Sequence, residues 1–398
     1  MNYKMMGRFI AQILLLEAIF MIPATFISLY CAEYRAVFAF LGTMTLLVAI
    51  SGVLWFFCKA AKSNFYATDG MVCVALSWLI LSLAGSLPFL FSGAIPRFID
   101  ALFEIVSGFT TTGASILPAV EGLPKGILYW RSFSHWVGGM GVLVFLLAIV
   151  PSTDQGKGFT MHLLRAESPG PSVGKLVPKM RKTAAILYFL YIVLTIADFC
   201  FLLFGGMSAF EAVCNAFGTA GTGGFGVRND SFASYSHYLQ NVTTVFMFLF
   251  GVNFSCYYLL MLRQWGAVFK DEELRAYFGI ALGSALLITW NVRGLYGSLG
   301  ETFRHAAFQV SSIMTTTGFA TTDFDLWPSF SKTILLCLMV VGASAGSTGG
   351  GIKVSRVLLL FKSLRRSFFQ MLHPRRVEMV RSNGQVVDDK IVETTNAY

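Results

Sequence analysis

The chain is poor in charge. Asp, Glu, Lys and Arg make up only 13% of its 398 residues, against the quarter or so of an ordinary soluble domain. Cysteine offers little chemistry. None of the seven forms a C-x-x-C pair and most lie in apolar stretches, so they read as packing residues and not as disulfides or metal ligands. No paired carboxylates and no nucleophile–base set can be placed together in a pocket, which points away from an enzyme. What is abundant is apolar sequence, 55% of the whole. Runs near the roughly 20 residues that cross a bilayer recur along it, at about 9–30, 36–57, 71–92, 127–150, 183–205, 239–262, 275–292 and 332–361. The first is longer than a signal-peptide core and has no small-x-small cleavage site, so it reads as a span.

The formal charge of +9 raises nucleic acid as a partner, but the distribution argues against it. Of 30 Lys and Arg, 22 fall on one side of the spans, including Lys4, Arg8, Lys157, Lys179, Arg263 and everything from Lys353 to Lys390. The other side holds eight, from Arg35 to Lys332. A bias that alternates in step with apolar spans is the positive-inside signature. It puts both termini in the cytoplasm.

A Thr- and Gly-rich loop recurs three times on the charge-poor side. The copies are Thr110-Thr111-Thr112-Gly113, Ala220-Gly221-Thr222-Gly223 and Thr315-Thr316-Thr317-Gly318. Each follows a helix-length stretch opened by an acid, Asp100, Glu211 or Glu301, where negative charge complements the helix dipole. The unit is span, short helix, loop, span. Irregular backbone at membrane depth survives only where protein or a water-filled cavity surrounds it, and rings of loop carbonyls replace the hydration shell of a potassium ion. The three loops therefore read as parts of an ion-binding filter. Helix packing through small residues is the competing reading; recurrence at one place in every unit favours the filter. Aligning Gly113, Gly223 and Gly318 puts a fourth glycine beyond Tyr398. Gly221-x-Gly223-x-x-Gly226 matches a dinucleotide fingerprint only superficially, because no strand precedes it.

The eighth run is interrupted by Gly342, Gly346, Ser347, Thr348, Gly349, Gly350 and Gly351, followed by Lys353. Each glycine weakens a helix by about 1 kcal/mol against alanine, so a loop inside the membrane is expected, facing water below the filter. We read this segment as a gate; the alternative is a simple kink with Lys353 already at the membrane surface. Asp198 reads as interfacial or water-accessible, His135 as an interfacial packing residue, and Asn253 either as lining a cavity or as bonding a neighbouring helix.

Together the loops at 107–115 and 315–323, the stretch Trp136-Val137-Gly138-Gly139-Met140-Gly141 and the segment 343–353 resemble the Trk/Ktr/HKT superfamily of potassium uptake proteins. The two leading spans resemble its TrkH branch. The resemblance implies an all-α membrane protein of four tandem M1-P-M2 repeats around a pseudo-fourfold pore, preceded by two extra spans. It implies one filter glycine per repeat, here Gly113, Gly223 and Gly318, with Gly113 favouring potassium over sodium. It implies a homodimer in the bacterial inner membrane, a cytosolic TrkA-type nucleotide-binding ring as regulator, and potassium as substrate with no covalently bound cofactor. The expected division is a two-span segment over 1–62, repeats over 63–160, 161–268 and 269–372, and a cytoplasmic connector over 373–398 with a small hairpin around Asn383-Gly384. The fourth repeat is missing from this division, so a truncated chain is expected. Two competitors remain: a secondary transporter with broken helices, and a structural or regulatory subunit.

Overall fold

The computed structural model describes residues 3–58, 67–139, 141, 180–373 and 379–397. The second half of the expected fourth span, the 160/161 repeat boundary, Lys157 and Lys179 lie outside them. The described chain is helical except for one two-stranded hairpin. Lipid offers the backbone no hydrogen-bond partners, so segments this apolar close their own ladders as helices. Large exposed side chains such as Phe38, Phe56, Phe57, Phe189 and Phe204 form the kind of outward apolar surface that a membrane covers.

Two compact units emerge. The first holds the described residues to 141, 180–195 and 208–229. It contains α1 (Tyr3–Phe20), α2 (Ile22–Tyr30), α3 (Tyr34–Phe57), α4 (Ala67–Ser92), α5 (Phe98–Phe109), α6 (Lys125–Gly139), the first part of α7 (Met180–Phe204) and α8 (Ala209–Ala220). Pro23 lies in the first turn of α2 and accounts for the break after α1, because proline has no N–H to continue the ladder. The α1–α3 pair is joined by the Ser51 hydroxyl, which donates to the Ala11 carbonyl at 2.8 Å. The core runs through Phe40, Phe89, Ile105, Phe109, Trp130 and Phe133.

The second unit holds residues 196–207 and 230 onward. Its helices are the rest of α7, then α9 (His237–Phe250), α10 (Phe254–Met261), α11 (Trp265–Lys270), α12 (Glu272–Val292), α13 (Leu299–Met314), α14 (Ser329–Val341), α15 (Val354–Leu372) and α16 (Asp389–Ala397). Its core centres on Tyr277, Ile288, Val310, Met314, Leu335 and Leu338. The expected hairpin is β1 (Arg381–Ser382) paired with β2 (Gln385–Val386). Asn383 and Gly384 form its turn with φ of 50° and 78°, the doubly positive pair that a tight I′ turn requires.

Among the described residues, four helices are long and apolar enough to cross a membrane: Tyr3–Tyr30, Tyr34–Phe57, Thr68–Ser92 and Ala184–Phe204. The expected sixth span is not one rod. It bends by 90° between α9 and α10, where the Asn253 side chain caps α10 by accepting from Ser255 N–H at 2.9 Å. The expected seventh is α12, which opens on the charged run Glu272, Glu273 and Arg275. The expected eighth is divided into α14 and α15 by the non-helical segment Gly342–Lys353.

Candidate functional site

The three short helices α5, α8 and α13 begin as the sequence leads one to expect. Asp100, Glu211 and Glu301 lie in their first turns. The hydroxyls of Ser208 and Ser298 accept from the Glu211 and Glu301 N–H groups at 3.3 and 3.2 Å, the first half of a capping box.

Each of their C-termini carries the same pattern of hydrogen bonds. In copy one, Thr110, Thr111 and Thr112 N–H donate to the carbonyls of Val106, Gly108 and Ser107. In copy two, Gly221, Thr222 and Gly223 donate to Phe217, Thr219 and Gly218; in copy three, Thr315, Thr316 and Thr317 donate to Ser311, Ile313 and Ser312. Backbone torsions repeat in the same register. Thr111, Thr222 and Thr316 have φ of 55°, 52° and 58°, and two residues on Gly113, Gly224 and Gly318 have 75°, 80° and 86°. This corrects the alignment of copy two. The counterpart of Gly113 and Gly318 is Gly224, Gly223 matches Thr112, and Ala220 is the last residue of α8. With glycines at 221, 223 and 224, sequence spacing could not choose between registers; the ladder does.

A β-branched residue at positive φ is a genuine outlier, costing on the order of 1–2 kcal/mol. Three threonines carry that strain at equivalent positions. Their neighbours brace them. The Thr110 and Thr112 hydroxyls are 2.8 Å apart and those of Thr315 and Thr317 2.7 Å. Copy two has no such hydroxyl pair. His135 takes their place. Its fully buried ring stacks on Phe225 at 4.0 Å, and its Nδ1 accepts from Phe225 N–H at 3.3 Å. A Cβ on Gly221 would come within 2.2 Å of the His135 carbonyl oxygen, and one on Gly223 within 2.4 Å of its Nδ1. Those glycines therefore leave the space that His135 occupies. His135, expected as an interfacial packing residue, is fully buried and buttresses loop two.

Within the first unit, loops one and two face each other. An ideal Cβ on Gly113 would lie 1.9 Å from the Gly223 carbonyl oxygen. Around them runs a buried ion pair that the sequence did not reveal. Arg131 Nε donates to Glu104 Oε1 at 2.5 Å, both side chains buried. Glu104 also accepts from Ser115 Oγ and Ile116 N–H, each at 2.9 Å. Arg131 donates to the Gly226 carbonyl at 3.2 Å, its guanidinium 3.5 Å from the Phe225 ring centre. One pair thus ties α5, α6 and the chain leaving both loops. Arg131 reads in sequence only as a charge on the sparse side of the membrane, which concealed this.

In the second unit, copy three is supported by the Ser312 hydroxyl, which donates to the Phe319 carbonyl at 2.6 Å, and by His305 Nδ1, 2.9 Å from Thr321 Oγ1. The interruption Gly342–Lys353 lies directly against this loop. Gly350 N–H donates to Thr316 Oγ1 at 2.7 Å, and a Cβ on Gly349 would meet the Thr315 carbonyl oxygen at 2.9 Å. Gly342, Gly346, Gly351 and Lys353 all have positive φ. Ser347 Oγ donates to Ser344 O at 2.6 Å, Thr348 Oγ1 to Phe250 O at 3.2 Å, and the Lys353 ammonium to the Gly349 carbonyl. Asp198, expected near water, is fully buried. Among the described residues no group of three or more His, Cys, Asp or Glu could hold a metal ion.

Comparison with known proteins adds an independent line. Residues 36–290 and 295–395 match the TrkH family, described as cation transport proteins. The chain is 36% identical over 362 residues to the Trk system potassium uptake protein TrkH of Escherichia coli (strain K12), covering 89% of this chain and 74% of that protein. Identity to the Trk system potassium uptake protein TrkH of Vibrio parahaemolyticus is 34% over 403 residues, 99% of this chain and 82% of the relative. The crystal structure of the potassium transporter TrkH from Vibrio parahaemolyticus matches with a TM-score of 0.86 at 32% identity, over 100% of this chain and 82% of that one.

Proposed function

The chain belongs to the TrkH family of cation transport proteins, and from that premise we propose that it conducts potassium across a bacterial inner membrane through a gated pore. The family is one of transporters and not of enzymes. The observation that carries the reading is the recurrence of a strained threonine and a positive-φ glycine at the same ladder position in three loops. Backbone strain of this kind persists where surrounding structure holds it for a function. A positive-φ residue between negative-φ ones turns successive carbonyls to a common side, the arrangement a dehydrated cation needs. In register, the filter set becomes Thr110–Gly113, Gly221–Gly224 and Thr315–Gly318, with the loop Gly342–Lys353 as the gate below it.

The short helices aim their C-termini at these loops, so their dipoles place partial negative charge where the cation sits. The division into two leading spans, three M1-P-M2 repeats and a connector belongs to this proposal. So do cytoplasmic termini, a homodimer and a cytosolic TrkA-type ring acting on the gate. A secondary transporter is the second reading, favoured by the paired breaks at 251–253 and 342–353, since broken helices build midplane sites.

The test is rubidium uptake by a potassium-transport-deficient host expressing the protein. Voltage-driven uptake outcompeted by potassium and not by sodium supports a pore. Uptake that requires a proton gradient at fixed voltage supports the transporter. Sodium competing as well as potassium refutes the filter.

A further inference from the structure

The gate segment is held from two sides. On one, it bonds the break between α9 and α10. Ser344 N–H donates to the Gly251 carbonyl at 3.0 Å, and Phe254 N–H donates to the Gly346 carbonyl at 3.1 Å. On the other stands a single half-buried carboxylate, Glu273, in the first turn of α12. Its Oε1 accepts from Ala345 N–H at 2.6 Å and from Ser355 N–H at 3.2 Å.

One of these donors lies within the break and the other just after it. Ala345 is inside the interruption; Ser355 is in the first turn of α15, among the N–H groups a helix leaves without an internal partner. One oxygen therefore spans loop and helix. The loop cannot leave Thr315 and Thr316 while α15 stays in place without breaking a charge-assisted hydrogen bond, the stronger kind.

The start of α12 is fixed in turn by the hairpin. Asn383 Oδ1 accepts from Glu272 N–H at 2.9 Å, and Asn383 Nδ2 donates to Asp271 Oδ2 at 2.8 Å. Lys362 of α15 pairs with Glu272 and donates to the Arg381 carbonyl at 2.8 Å. The clasp thus ends one residue from Glu273.

We propose that Glu273 is a positioning residue that latches the Gly342–Lys353 segment against the third filter loop, and that the hairpin at 381–386 holds this latch through Asn383. The proposal rests on the gate reading, so its test separates the two. In a Cys337→Ser background, which removes an exposed thiol, Ser347→Cys reports loop release by its rate of reaction with a charged thiol reagent. Glu273→Ala should raise that rate about tenfold or more, the change that loss of one charge-assisted hydrogen bond carries. Glu273→Gln keeps a carbonyl acceptor and should restore most of the protection. Asn383→Ala should give a smaller rise than Glu273→Ala. An unchanged rate in Glu273→Ala overturns the latch, whatever the ion flux does. A raised rate with unchanged rubidium flux upholds the latch and refutes the gate. Should Glu273→Ala fail to reach the membrane, Asn383→Ala carries the test, and an unchanged rate there overturns the hairpin's role.

Discussion

Replacing Gly113 by alanine subjects the filter to two penalties at once. The new Cβ would lie 1.9 Å from the Gly223 carbonyl oxygen, where real Cβ atoms keep at least 3.0 Å. One loop has to move by about 1 Å, twice the ~0.5 Å within which a functional constellation is held. The φ of 75° at Gly113 adds on the order of 1–2 kcal/mol for a residue with a Cβ. If the loop relieves that strain by turning its carbonyls, the bound cation loses a similar amount, which is about tenfold in relative affinity. Gly318 provides the control. Its φ is 86°, but no described atom lies within 4 Å of an added Cβ, so Gly318→Ala incurs the strain without the collision. Rubidium uptake competed by sodium should therefore show potassium preference falling about tenfold or more in Gly113→Ala and less in Gly318→Ala. Serine at 113 should act like alanine. Equal effects, or wild-type selectivity in Gly113→Ala, would refute the reasoning.

Other consequences are open to direct measurement. Glu104→Ala leaves Arg131 charged, buried and unpaired, which typically costs about 3–5 kcal/mol; detergent-solubilised protein should melt well below wild type, and Arg131→Met with Glu104→Met should recover part of the loss. Gly223→Ala drives a methyl into the His135 ring, so His135→Ala should partly rescue its uptake, a non-additive pair in a double-mutant cycle. Gly126→Ala brings a Cβ within 1.8 Å of Ser28 Oγ and should lower the melting temperature by separating α2 from α6. Gly42→Ala, with no described atom in range, should leave the melting temperature unchanged or raise it slightly, since alanine favours a helix by about 0.5–1 kcal/mol.

Much of the fold was legible because lipid leaves the chain few choices. Segments of about 20 apolar residues have to be helices, and α1 with α2, α3, α4 and α7 lie where hydropathy alone puts them. The short helices were legible from an acid followed by a Thr/Gly loop. The 90° bend after Phe250 was not, because hydropathy averages over it and Asn253 looks like any polar residue in a span. The register of copy two was hidden by its own glycines. The residues supporting the loops were hidden for a different reason. Arg131 and Glu104 are 27 positions apart and Glu273 is 72 from Ala345; in sequence each is only a charge near the end of an apolar run. Their roles arise from tertiary contacts that no periodicity encodes.

The most direct test of the central claim is to locate the ion. Anomalous scattering from crystals of the protein soaked in rubidium should place a peak beside the carbonyl oxygens of Thr112 and Gly223, which stand at the same position of the hydrogen-bond pattern in loops one and two, and excess sodium should leave it in place. Rubidium bound elsewhere, with no peak at that position, would contradict the account.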